Sequence, residues 1–288
     1  MRGRGGRWVI RLAAATLMLI GCSSTSGQQG DPATTDRART SGGTASATAP
    51  QPLTQPGIRC GSLETEATLV RFSATDGTSL NGVLVGSGTT GVILVHQSHP
   101  EDLCDLWPFA DHLAQHGMQA FAIDLRCFGR SACPSGAAAG RVIDDIAAAA
   151  AELRRRGATR VAVVGASMGG AAALIAGNRL QPPPAAVVSL SGETDPTELV
   201  GGIPLDAGAA VGHLRVPTMF VVAADDQYVS VAETRTMYQA VRTSDKRLLA
   251  LAGEYTGRHG VELLTDPGGG RFTSVATQVV AFLTAHTR

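Results

Sequence analysis

Six short apolar runs in the later part of the chain constrain its fold more than any other feature: GVILVH (91–96), MQAFAID (118–124), VAVVGAS (161–167), AAVVSLSG (185–192), PTMFVVAA (217–224) and RLLALAG (247–253). Uninterrupted runs of this length suit strands buried on both faces, whereas strands with one wet face alternate apolar and polar residues. Segments of helical character separate them. The segment 105–116 is amphipathic and closed by Gly117, 143–156 is Ala-rich and stopped by Gly157, and 168–180 ends before the three prolines at 182–184. Further helices are expected over 231–242 and 272–286. Upstream, TLVRF and LNGVLVG flank a turn at Thr75-Asp76-Gly77 and predict two antiparallel strands. Repeated strand–helix units of this kind imply a mostly parallel sheet with helices on both faces, a three-layer α/β/α domain.

The domain does not occupy the whole chain. Of 288 residues, 44% are hydrophobic, enough for one substantial core, which is expected over 58–288. Residues 1–21 carry Arg2, Arg4, Arg7 and Arg11 ahead of a short apolar stretch, the shape of an export signal. That stretch ends in Leu19-Ile20-Gly21-Cys22, which resembles the bacterial lipobox and implies lipidation at Cys22 and peripheral anchoring to a membrane surface. Residues 22–57, rich in Ser, Thr, Gly, Ala, Pro and Gln, lack the apolar side chains needed to offset ordering entropy and are expected to be a disordered tether. With 24 basic and 24 acidic residues the chain has no electrostatic footprint for nucleic acid, and no apolar run approaches the roughly 18 residues of a membrane-spanning helix.

Chemistry enters at Gly165-Ala166-Ser167-Met168-Gly169-Gly170, a G-x-S-x-G match. Thirty-five glycines make the pentapeptide alone a weak signal, but here it lies directly between an apolar strand and an Ala-rich helix. A strand-to-helix elbow holds its central serine in a strained backbone conformation with the hydroxyl projecting above the sheet, and flanking glycines relieve the crowding. The bland alternative is a serine capping an ordinary helix.

This elbow and the strand order resemble the α/β-hydrolase superfamily, in particular its dienelactone-hydrolase-like and small bacterial esterase branches, over residues 68–288. The resemblance implies a Ser–acid–His triad in that chain order. It points to Ser167 as nucleophile and to His259, in Thr256-Gly257-Arg258-His259-Gly260 after the last strand, as base. Asp226, after strand 217–224, aligns with the acid that orients the imidazole, with Asp225 and Asp195 as the other candidates. His112, His116, His213 and His286 are expected to be surface or helix-end residues, His96 to be structural, and His99 an exposed loop residue. The oxyanion donors would be the backbone N–H of Met168 and one from His96-Gln97-Ser98, where Gln97 replaces a usual glycine and leaves Ser98 and Gln97 both open. Asp124-Leu125-Arg126-Cys127-Phe128-Gly129-Arg130-Ser131 is similar to an architectural segment of the family, with Cys127 where glycine is usual.

Apart from Cys22, the four cysteines Cys60, Cys104, Cys127 and Cys133 predict two disulfides in an exported protein, with pairing undetermined and at least one bridging the rim near the fourth strand. Zinc is disfavoured by their spacing, and neither metal nor cofactor is expected. About 25 residues separate Gly192 from Pro217, so a minimal lid, an open cleft and accessible small-molecule ester substrates are expected. A prolyl-oligopeptidase-like peptidase and a non-catalytic binding protein are the competing functions.

Overall fold

Five of the six apolar runs become inner strands, while the sixth, 247–253, forms an edge strand with no fully buried position rather than one covered on both faces. The computed structural model describes Cys60 and residues 65–98, 100–198, 200–267 and 270–288; the expected signal, Cys22 and tether, and His99, lie outside the described residues. Eight strands form one sheet: β1 Ala67–Ser73, β2 Ser79–Val85, β3 Thr90–Val95, β4 Gln119–Asp124, β5 Arg160–Ala166, β6 Val187–Leu190, β7 Thr218–Ala223 and β8 Lys246–Leu251. Their order is β1-β2-β4-β3-β5-β6-β7-β8. β1, β2 and β4 pair antiparallel, and every pairing from β4 through β8 is parallel. β4 and β7 are buried at all positions, as continuous apolar composition requires, while the edge strand β8 is not.

Alternation along each strand divides the core in two. Val92 and Leu94 of β3 face helices α1 (Trp107–Gln115) and α6 (Ser274–Thr287), packing with Phe109, Leu113, Val279 and Leu283. Ile93 and Val95 face the opposite layer, helices α2 (Val142–Arg155) and α3 (Met168–Arg179), meeting Ile146, Leu153 and Leu174. A short α4 (Ala207–Val211) and α5 (Val231–Ala240) complete that second layer through Val211 and Met237. The three-layer expectation holds. One helix differs from its sequence reading: the segment expected over 105–116 is a 3-10 turn at Leu103–Leu106 followed by α1. Pro108 accounts for the restart, because a proline has no N–H for an interior helical bond but is tolerated in a first turn.

The rim above β4 is braced twice. Arg126 is fully buried and clamps Asp145 of α2 through Nε at 2.9 Å and a guanidinium terminus at 2.6 Å, while its other terminus reaches Asp76 at 2.8 Å. Burial raises the Asp145 carboxyl, against the pull of Arg126, whereas the Arg126 hydrogen bond drives Asp76 well below the usual carboxylate range. The two disulfides pair Cys127 with Cys133 and Cys60 with Cys104. Cys127 has φ of 68°, so the left-handed conformation that favours glycine persists and a cross-link has been added to it.

Candidate active site

The nucleophile candidate sits where β5 turns into α3. Ser167 adopts φ 53° and ψ −122°, a conformation of high steric cost for a side chain with Cβ. The glycines on either side answer the crowding this creates. A Cβ on Gly165 would collide with the Gly169 carbonyl, and one on Gly169 with the carbonyls of Val95 and His96. The Ser167 N–H donates to the Leu190 carbonyl at 2.8 Å, fixing the elbow against the end of β6. Met168 opens α3, so its N–H has no acceptor within the helix and joins the positive end of the helix dipole.

Two further loops converge from strand ends. After β7, Asp225 takes φ 56° and points to solvent, which turns the Asp226 carboxylate inward. Asp226 accepts the N–H of Tyr228 at 3.0 Å and meets His259 Nδ1 through both oxygens, at 2.9 and 3.0 Å. Burial alone would raise this carboxyl, but the His259 ring, the Tyr228 amide and the adjacent Ser191 hydroxyl outweigh it and hold it below the usual range. The His259 loop is docked by two contacts and braced within itself by a third. Gly257 N–H donates to the Ala224 carbonyl at 2.7 Å, the His259 N–H to Glu262 at 3.0 Å, and Val261 N–H to the Gln97 side-chain oxygen at 3.1 Å. Asp195 is exposed and occupied by Thr197, so of the three acids considered only Asp226 meets the imidazole.

Gln97, expected as an alternative oxyanion donor, therefore has its side chain committed to the His259 loop, beside a Gly260 (φ 54°) whose Cβ would strike it. Ser98 follows, half-buried. His96 is structural: fully buried, it accepts the Leu125 N–H at Nε2 (3.2 Å) and donates from Nδ1 to the Gln97 carbonyl. Among the surface histidines the expectation needs one correction. His112 is half-buried and stacks on Phe272 with ring centroids 4.0 Å apart, and burial lowers its pKa. His116 and His213 are exposed, and His286 pairs with Asp245 at 3.3 Å.

One residue was not anticipated. The Ser167 hydroxyl forms no hydrogen bond with His259; it donates instead to Glu193 Oε1 at 3.1 Å. Glu193 lies just beyond β6, is 7% exposed, and has its second oxygen, Oε2, buried with no hydrogen-bond partner among the described residues. Burial pushes its carboxyl up, against the pull of its own backbone N–H, of His259 and of the Ser167 hydroxyl, with a small further push from Asp226. The sequence signal was faint: an acid two positions before Asp195, at the tip of a strand neighbouring the elbow. A cleft of about 470 Å³ between α4 and α5 is lined by Thr194, the residue after Glu193, and by Asp206, Val211, Glu233 and Met237.

A family model described as serine aminopeptidase, S33, matches residues 91–205. Similar solved structures include an esterase of Pyrococcus furiosus, with TM-score 0.65 and 18% identity over 78% of this chain and 92% of that one. Dienelactone hydrolase from Anabaena variabilis superposes with TM-score 0.58 at 22% identity, over 78% of this chain and 99% of that one. Acetyl xylan esterase from Paenibacillus sp. R4 gives 0.59 at 16% identity, over 82% and 88%. No curated protein matches the sequence.

Proposed function

We infer, from a chain that has the α/β-hydrolase fold, a serine hydrolase that cleaves carboxylic esters through an acyl-enzyme on Ser167. One observation carries the reading: the Asp226–His259 pair and the strained Ser167 sit on loops at the carboxyl ends of three strands in the parallel part of the sheet. Ligands of open α/β sheets bind at that edge.

In the proposed reaction the Ser167 hydroxyl leaves Glu193 and turns to His259 Nε2, the ring edge that Asp226 does not occupy. His259 takes the proton as Oγ bonds to the substrate carbonyl carbon, and the displaced electron pair gathers on the carbonyl oxygen. The N–H of Met168, with that of Ser98 or Gln97, stabilises this oxyanion; one such donor is commonly worth about 10²–10³ in rate. Collapse expels the alcohol, which leaves with the proton from His259, and water then repeats the sequence in reverse on the acyl-enzyme. Asp226, ionised and buried, keeps the proton on Nδ1 and stabilises the imidazolium.

Labelling with a fluorophosphonate tests the reading: wild type is expected to be modified at Ser167, and Ser167→Ala to lose both labelling and nitrophenyl ester turnover. An unlabelled wild-type protein would contradict it. The S33 match motivates the second reading, a peptidase; turnover of aminoacyl anilides in preference to nitrophenyl esters would favour it. We also propose export with lipidation at Cys22, which the two disulfides support because oxidised pairs persist outside the reducing cytosol. Incorporation of labelled fatty acid into wild type but not Cys22→Ala is the corresponding test.

A further inference from the structure

Tyr228 is the one large hydrophobic side chain exposed among the described residues, at 52%. Its backbone is fixed while its ring is not enclosed. The Tyr228 N–H is held by Asp226 at 3.0 Å and the next residue, Val229, is buried. The ring lies against His259, with centroids 4.6 Å apart and planes tilted by 55°. An aromatic body with a wet phenolic tip suits a site that contacts a ligand face while its edge stays in water.

The chemistry of His259 decides which part of a substrate meets this ring. Its Nδ1 is taken by Asp226, so the leaving alcohol oxygen must come within hydrogen-bond reach, about 3 Å, of Nε2 to receive its proton. Whatever is attached to that oxygen is therefore held beside His259, the ring on which Tyr228 packs. The acyl group diverges from it, because the carbonyl carbon is bonded to Ser167 and its oxygen turned to the Met168 N–H. We propose that Tyr228 is the leaving-group platform and that the favoured substrates are esters of aromatic alcohols, whose flat face stacks on it. This rests on the serine-esterase reading above and adds the alcohol half of the substrate to it.

Benzyl and ethyl acetate separate the alternatives, since they share an acyl group and differ in the face of the alcohol. Tyr228→Ala is expected to lower kcat/KM for benzyl acetate about fivefold, the size of a single aromatic contact, and for ethyl acetate less than twofold. Tyr228→Phe is expected to stay within twofold of wild type for both. Breakdown of the common acetyl-enzyme is expected to be unchanged in either variant. Equal losses for the two esters would mean that Tyr228 merely props His259, and no loss for either would mean that it touches neither; each overturns the proposal. A Ser167→Ala protein with unchanged turnover would overturn the serine reading first, and this assignment with it.

Discussion

Replacing Glu193 by Gln probes the unexpected contact directly, because the amide matches the carboxylate in shape, keeps one acceptor oxygen for Ser167 and removes the charge and titration. In the wild type Glu193 is 7% exposed, accepts the Ser167 hydroxyl at 3.1 Å and has no hydrogen-bond partner for Oε2 among the described residues. A hydrogen bond to a charged acceptor is worth about 1.5–3 kcal/mol and one to a neutral acceptor about 1, so the amide should hold the hydroxyl more weakly by about 1 kcal/mol. At a pH where Glu193 is ionised, fluorophosphonate labelling of Glu193→Gln should therefore be about fivefold faster than wild type. Stability should shift as well. Burial raises the folded-state pKa of Glu193 above its ordinary value of 4.5, so between the two values the folded protein holds a proton that the unfolded chain has released. Wild-type stability must then fall as pH rises through that window, a loss the amide variant does not share. Thermal unfolding across pH 4 to 9 should show Glu193→Gln gaining on wild type as pH increases. A variant that labels more slowly at every pH, or whose stability advantage shrinks with rising pH, would refute the reasoning.

Other perturbations follow from the same geometry. Asp226→Asn should leave the loop in place yet reduce kcat by about 10³- to 10⁴-fold, as measured by ester hydrolysis, because an amide cannot stabilise the imidazolium or hold its tautomer. Arg126→Met strands the buried Asp145, and denaturant unfolding should register a loss of about 3–5 kcal/mol; an unchanged midpoint would show that the cluster is dispensable. In a Cys133→Ser background, Cys127→Gly should be more stable than Cys127→Ala by about 1 kcal/mol, since only glycine takes φ 68° freely. Parity of the two would mean that the turn relaxes once the bridge is gone.

The architecture was legible because its causes are local. Continuous apolar runs, glycine and proline stops and a helix-forming Ala segment identify buried strands and covering helices without reference to the rest of the chain, and β3 through β8 fall where those patterns lie. Pro108 was visible too, but its consequence, the late start of α1, depends on how the preceding 3-10 turn is capped by Asp102. Sequence also narrowed the acid to Asp226, Asp225 or Asp195. The choice belongs to tertiary structure: a left-handed residue at 225 turns one carboxylate inward and its neighbour out, and the β6 loop carries Asp195 into solvent.

The same division applies to the cysteines and to the proposed nucleophile. An even set of cysteines announces two bridges, whereas pairing requires knowing which Cα atoms approach, and Cys60 lies 44 residues from its partner. The elbow announces Ser167, since a strand, a sharp turn and a helix must follow one another along the chain. Where its hydroxyl points is set by a carboxylate 26 residues away that arrives only when β6 aligns beside β5. Periodicity thus determined the layers, and the G-x-S-x-G motif in its strand-to-helix setting the strained turn. The Glu193 partner of Ser167 and the Tyr228 ring beside His259 were decided by folding, because both are contacts between loops that share no local pattern and meet only across the sheet.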